Sequence, residues 1–206
     1  MCKKRVLIVV LMFVFLATTA LGAIDKPYQL KLLAVQEDAN GMSGSDADLF
    51  LELKKGSGRV FLETFPLTKL DTQISTRFAK DVACNHFKLN CDKYDFIYTI
   101  KAKSNIIGGP SAGAAISALT TIAVLNLEYD KSATITATIN SGGIVGPVGG
   151  VKEKLEAASK SGLKKVLIAE GVALQYSNKE NESEENFSLV SYGKENLSLE
   201  VVEVID

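Results

Sequence analysis

Between residues 94 and 127 the chain passes from strict alternation, through a glycine-rich turn, into a long apolar stretch rich in alanine. Phe96, Tyr98 and Ile100 recur at every second position, which places them on one face of a strand over 94–102. Residues 106–110 contain Gly108, Gly109 and Pro110, and residues 111–127 read as an apolar helix. Strand, tight turn and helix in direct succession point to a fold that layers the two kinds of element.

The flanking sequence extends the same alternation of elements. Strands are expected over 28–36, 47–53 and 59–64, with a polar turn at 37–46 around Gly41 and Gly44. Lys54-Lys55-Gly56-Ser57-Gly58 looks like the loop of a hairpin between the second and third of these strands. Leu70, Ile74, Phe78 and Val82 then repeat every four residues, as the buried stripe of a helix does. Residues 133–139 alternate with threonine and predict a strand, 140–143 a turn, and 144–148 a short extended piece. Gly149-Gly150 opens a helix over 151–161 that Gly162 stops. Lys165 to Ala169 is a strand, 175–186 a polar, acidic loop, and 197–205 the last strand. The class is therefore α/β, or α+β with a mixed sheet, in one domain over 27–206. There is no internal repeat and no Walker-type phosphate loop.

The first residues belong to a different category. Lys3, Lys4 and Arg5 precede an unbroken apolar run over 6–16, and small residues follow, with Ala20 and Gly22 at −3 and −1 of a cleavage site. Residues 1–23 therefore read as a signal peptide or an N-terminal membrane anchor. The apolar segment 6–23 has 18 residues, near the lower limit for a span. Uncut, it would hold the rest of the chain outside the cytoplasm, and either outcome predicts an exported protein. Asn181, Asn186 and Asn196 each open an Asn-x-Ser sequon, in keeping with export. Cys2 lies in the leader, which leaves Cys84 and Cys91. In an oxidising compartment these two could close a short loop between a helix end and the next strand, or they could remain thiols. Cys84, His86 and Cys91 fit no common zinc spacing and lack a fourth ligand, so no metal is expected. A net charge of −1 without a basic stripe argues against nucleic acid as the partner.

Two short segments carry chemistry. Gly108-Gly109-Pro110-Ser111-Ala112-Gly113 puts a serine at the start of a helix, among free N–H groups that suit an oxyanion or a phosphate. Taken alone, Ser111 could be no more than a helix cap. Gly149-Gly150-Val151-Lys152-Glu153-Lys154-Leu155 offers two lysines, which helical geometry separates. At about 100° per residue, Val151, Lys154, Leu155 and Ala158 share a face, while Lys152 lies with Glu156 and Ser159 on another. Lys154 is the lysine on the apolar face, where burial lowers an amine's pKa and frees it to accept a proton. The single histidine, His86, has no nucleophile pattern near it, so a Ser-Lys dyad is better supported than a triad.

Together these segments resemble the proteolytic domain of the Lon family. Pro110-Ser111-Ala112-Gly113 is similar to the family's nucleophile motif. Gly149-Gly150-Val151-Lys152-Glu153-Lys154 is similar to the motif whose second lysine is catalytic, and the 43-residue separation of Ser111 and Lys154 is the family's. Pro147, Ala157-Ala158, Gly162 and Val166-Leu167-Ile168 add to the likeness, which is strong over 109–169 and faint over 28–103. The resemblance implies a serine endopeptidase with Ser111 as nucleophile, Lys154 as base and no cofactor. Thr136 would help orient the amine, main-chain N–H groups around Ser111 and Ala112 would hold the oxyanion, and Gly109 and Pro110 would support the turn that presents them. It also implies a polypeptide substrate and a homo-oligomeric ring.

This chain departs from the family in several places. An acidic residue often stands where Gly108 does, and the Thr-Gly-Glu of many members is Thr136-Ala137-Thr138 here. No ATPase module accompanies the domain, so only flexible or already unfolded segments should be cut, unless another chain feeds it. Family members usually continue with a helix after the last strand, and the stop at Asp206 raises the expectation of a truncated, weakened domain. Two other functions fit part of the pattern. The glycine-serine segment also resembles the phosphate loop of small-metabolite kinases of the galactokinase and homoserine kinase group. A catalytically silent scaffold would keep the fold without the reaction.

Overall fold

The computed structural model of the chain describes residues 27–38, 41–176 and 186–206. The leader expected over 1–23, the sequon residue Asn181 and most of the acidic loop lie outside them. Four strands, β1 (Tyr28–Asp38), β2 (Gly41–Lys55), β3 (Val60–Thr68) and β4 (Tyr94–Ile107), form a mixed sheet in the order β1-β2-β4-β3. Two helices, α1 (Leu70–His86) and α2 (Gly113–Leu125), cover one face. A second sheet is parallel, in the order β11-β8-β5, from β5 (Ala133–Ile135), β8 (Lys165–Ala169) and β11 (Glu200–Val204). Two short ribbons pair β6 (Thr138–Ile139) with β7 (Val145–Gly146), and β9 (Leu174–Tyr176) with β10 (Asn186–Ser188). Helices α3 (Val151–Lys160) and α4 (Leu189–Leu197) complete an α/β fold with mixed strand directions. Among the described residues no helix is long and apolar enough to cross a membrane.

Alternation along β1 explains how two cores share one sheet. Leu30 and Leu32 face Leu49, Leu51, Phe96, Tyr98 and Ile100, together with Ile116 and Leu119 of α2. Leu33 points the other way, into a core with Val151, Leu155 and Ala158 of α3 and Val166 and Ile168 of β8. The two fully buried leucines of β2 and the aromatic pair of β4 each remove an apolar side chain from water. Each contributes about 1.5–3 kcal/mol.

Four expectations are corrected here. The hairpin at 54–58 does not form, because β4 lies between β2 and β3, antiparallel to the first and parallel to the second. The loop closes on the start of β4 instead, with Gly56 and Gly58 donating to the Lys93 and Tyr94 carbonyls at 3.0 and 2.8 Å. Asp95 seals it, accepting from the Arg59 guanidinium and from the main-chain N–H groups of Ser57 and Arg59. The guanidinium beside it is the main reason that its carboxyl is held down to about 2. The polar turn at 37–46 is far shorter than expected, since β2 already begins at Gly41.

The third correction concerns α1. Its inward face is Thr72, Thr76, Ala79, Val82 and Ala83, whereas Leu70, Ile74 and Phe78 are exposed. Small residues win the buried face because α1 packs closely on α2, where the Ser117 hydroxyl donates to the Ala79 carbonyl at 2.7 Å. Of the expected stripe only Val82 is buried. Cys84 and Cys91 are joined in a disulfide that ties the end of α1 to the turn before β4. The last strand begins only at Glu200, because residues 189–197 form α4.

Candidate active site

The turn between β4 and α2 sits where β3 and β4 end side by side, with Thr68 paired to Ile107. The Lys69 N–H donates to the Ile107 carbonyl at 2.9 Å, and the Gly109 N–H to Asp71 Oδ2 at 3.0 Å. Gly109 has φ +94°, a left-handed conformation that glycine adopts without the penalty of a Cβ. Pro110 is exposed, and its carbonyl accepts from the Gly113 N–H at 3.0 Å. Ser111 itself is half-buried and precedes the helix. The cap position belongs to Ala112 and carries no side-chain bond, so Ser111 is not a helix cap. Among the described residues neither the Ser111 nor the Ala112 N–H donates to any acceptor. Two free donors beside a hydroxyl can receive a developing oxyanion.

Ala137 locks the turn from the other side. Its N–H donates to the Ser111 carbonyl at 3.1 Å, and its carbonyl accepts from the Ala114 N–H at 3.2 Å. These bonds break the strand expected over 133–139 into β5 and β6, because residue 137 gives its polar groups to the serine turn. Thr136 occupies the break. Its N–H extends the β5–β8 ladder to the Leu167 carbonyl at 3.0 Å. Its side chain is 1% exposed, and Oγ1 is buried without a hydrogen-bond partner among the described residues. An unsatisfied buried hydroxyl costs about 1–3 kcal/mol and calls for a reason.

Lys154 lies on α3, whose Val151, Leu155 and Ala158 share a core with Val166 and Ile168, the neighbours of Leu167 on β8. The helix is seated closely on β2: a Cβ added at Gly44 would come within 1.9 Å of the Glu153 carbonyl oxygen. Helical geometry separated the two lysines correctly. Lys152 is exposed, with its ammonium 5.5 Å from the Tyr192 ring centre, whereas Lys154 is 2% exposed. Among the described residues the Lys154 side-chain amine makes no hydrogen bond and no ion pair. Desolvation without a compensating partner lowers its pKa from 10.5 to about 8.

The structure thus gathers Ser111, Ala112, Gly109 and Pro110 in one turn, bonds that turn to the residue after Thr136, and places Thr136 and α3 against the same strand. Cys84, Cys91 and His86 stand apart. Helices α1 and α2 run alongside each other with an offset of 38 residues, seen in both the Asp71–Gly109 and Ala79–Ser117 bonds. That offset brings His86 level with residue 124, roughly 20 Å along the helix from Ser111. Sequence reasoning missed Asp71, Thr72 and the main chain of Ala137. An acidic residue in a first helical turn is ordinarily no more than a complement to the helix dipole, so Asp71 gave no distinct signal.

The family model of the Lon protease (S16) C-terminal proteolytic domain matches residues 98–202, about half of the chain, a stretch that includes the serine turn, Thr136 and Lys154. Individual relatives align over shorter stretches. Lon protease 2 of Bacillus subtilis is 44% identical over 62 residues, covering 30% of this chain and 11% of that protein. The Lon protease of Methanosphaera stadtmanae is 44% identical over 81 residues, 38% of this chain and 10% of the relative. That of Paraburkholderia phytofirmans is 32% identical over 127 residues, 58% of this chain and 16% of the relative. The chain therefore spans only a small part of these much longer proteins. It belongs to the Lon protease C-terminal proteolytic domain family.

Proposed function

We propose that this chain is a serine-type endopeptidase in which Ser111 Oγ attacks the peptide carbonyl and Lys154 Nζ is the general base. The observation that carries the proposal is a buried lysine with no partner and a pKa of about 8. An ordinary lysine holds its proton at neutral pH, but this one releases it over the range in which a hydroxyl must be activated. The neutral amine takes the Ser111 proton as Oγ bonds to the carbonyl carbon. The oxyanion settles on the Ser111 and Ala112 N–H groups. The ammonium then returns its proton to the leaving amine, which departs and leaves an acyl ester on Ser111. A water, deprotonated by the same amine, releases the acid. Thr136 Oγ1 accepts a hydrogen bond from the ammonium while it carries the proton, which accounts for a buried acceptor left open.

Within this proposal the substrate is polypeptide that is already unfolded, and cleavage proceeds without ATP. Exposed Leu67, Leu70 and Ile106 around the serine turn suit apolar segments of such a substrate. Action outside the cytoplasm, secreted or anchored through 6–23, and assembly as a homo-oligomeric ring belong to the same proposal. The leader supports the first and the family resemblance the second.

The test is incubation of the 206-residue chain with unfolded casein, without ATP, beside Ser111→Ala and Lys154→Ala. The parent should cleave, and each variant should lose at least roughly a thousandfold. Activity surviving in Lys154→Ala would sink the dyad. A folded parent that cuts nothing indicates the silent scaffold, and one that binds ATP the kinase.

A further inference from the structure

Resting on that serine chemistry, we infer that Asp71 is a positioning residue, which acts through the Gly109 peptide to fix the turn that presents Ser111 and its oxyanion donors. The turn contains two adjacent glycines. Neither has a Cβ to restrict its backbone, so the peptide joining Gly108 and Gly109 has no local reason to face one way rather than the other. Its orientation is set from outside, by the first turn of α1.

Asp71 Oδ2 accepts the Gly109 N–H at 3.0 Å, and Oδ1 accepts the N–H of Thr72 at 2.7 Å. The Thr72 hydroxyl reaches the Gly109 carbonyl at 3.4 Å, a weak contact beside the first. A flip of the peptide would turn the Gly108 carbonyl toward the Asp71 carboxylate, lone pairs against negative charge. The bond from Gly109 is also the main cause that holds the Asp71 carboxyl below its ordinary range, as expected of a carboxylate whose charged form is the one bonded.

The donor count of the turn follows. The Gly109 N–H goes to Asp71, the Gly113 N–H to the Pro110 carbonyl, and Pro110 has no N–H. What remains for an oxyanion is Ser111 and Ala112, two consecutive N–H groups whose direction depends on where Gly109 is held. Asp71 touches neither substrate nor reacting atoms. It decides how accurately they are placed, and a misplacement of about 1 Å is enough to cost about a hundredfold in rate.

A merely structural Asp71 would bond the Thr72 N–H and complement the dipole in the first turn of α1 and nothing more, and substitution separates the two roles. Asp71→Ser keeps an oxygen near the Thr72 N–H but cannot span to Gly109, whereas Asp71→Asn keeps the reach and one acceptor oxygen for the Gly109 N–H, giving up the Thr72 bond. The experiment uses the 206-residue chain and two readouts. The first, by NMR, follows the Gly109 amide as the pH is lowered. It should titrate with a carboxyl group whose midpoint lies below 3.8, and this response should vanish in Asp71→Ser. The second is casein cleavage. Asp71→Ser should lower kcat tenfold to a hundredfold with KM within twofold, while Asp71→Asn restores at least a third of the parent rate.

A Gly109 amide that does not follow the carboxyl overturns the inference. So does a responsive amide with parental kcat in Asp71→Ser. A parent no more active than Ser111→Ala removes the serine chemistry, and the inference with it. That outcome is distinguished from the others because every variant, Ser111→Ala included, then reads alike.

Discussion

Lys80 on α1 and Lys154 on α3 are both buried lysines, and their surroundings are opposite. Lys80 Nζ lies 3.1 Å from Asp81 Oδ1 and 5.4 Å from the centre of the Phe96 ring. Around it the Tyr98 and Thr120 hydroxyls meet at 2.6 Å, Thr120 also donates to the Ile116 carbonyl, and Ser117 and Thr121 donate to main-chain carbonyls. Around Lys154 the amine has no partner among the described residues, and neither has Thr136 Oγ1. One molecule thus satisfies its buried polar groups where two helices must pack, and leaves them open where β8, α3 and the serine turn converge. Open groups in a buried setting cost stability and persist where a reaction uses them.

The comparison breaks most visibly under charge-conserving substitution. Lys154→Arg should abolish casein cleavage, with a loss of at least roughly a thousandfold, because a guanidinium does not give up its proton to become a base. Lys80→Arg, measured in the same assay, should stay within about twofold of the parent. Cleavage by Lys154→Arg would place the base elsewhere.

The pH profile sharpens the same point. With Lys154 as base, kcat/KM should fall about tenfold for each pH unit below about 8 and level off above it. A rate flat from pH 6 to 9 would mean that no group of this pKa limits the reaction.

Stability should respond with opposite sign at the two lysines. The folded pKa of Lys154 is about 8 against 10.5 for a free lysine, so between these values the unfolded chain holds more protons. Lys154 therefore weakens the fold by up to roughly 3 kcal/mol below pH 8, and stability recovers as the pH rises toward 10.5. Lys154→Met should raise the denaturation midpoint at pH 7, whereas Lys80→Met should lower stability by about 1 kcal/mol through its lost ion pair and ring contact. Equal signs in urea titrations would erase the distinction. The smallest effect is expected of Thr136→Val, about a tenfold loss of kcat with stability unchanged or up to about 1 kcal/mol higher, since a hydroxyl without a partner is removed.

Much of this contrast is legible in the sequence. The choice of Lys154 over Lys152 needed only the helical period, and the two motifs carried the family resemblance. What escaped was set by contacts distant in sequence. The turn at 54–58 is shaped by Asp95, some 40 residues on, so it mimicked a hairpin. The apolar row Leu70, Ile74 and Phe78 was convincing by period alone, but close packing of α1 on α2 selected the threonines and alanines instead. Residues 133–139 had the pattern of one strand, and only the bonds between Ala137 and the serine turn divide it. Helix α4 was hidden by Gly193, which costs helix propensity but leaves room for Val201, whose Cγ2 would lie 2.5 Å from an added Cβ. Cysteine count left a disulfide and two thiols equally open, and the approach of the α1 end to the β4 start resolves it as a disulfide.

The central claim is that Lys154 is a neutral amine when Ser111 needs a base. Titration of its side chain by NMR, in chain labelled at lysine and carrying Ser111→Ala to prevent self-cleavage, reads this directly, with Lys154→Met identifying the resonance. A midpoint near 8, well separated from the other lysines, is the result predicted. A midpoint near 10.5 would show an ammonium throughout the working range, and would contradict the dyad.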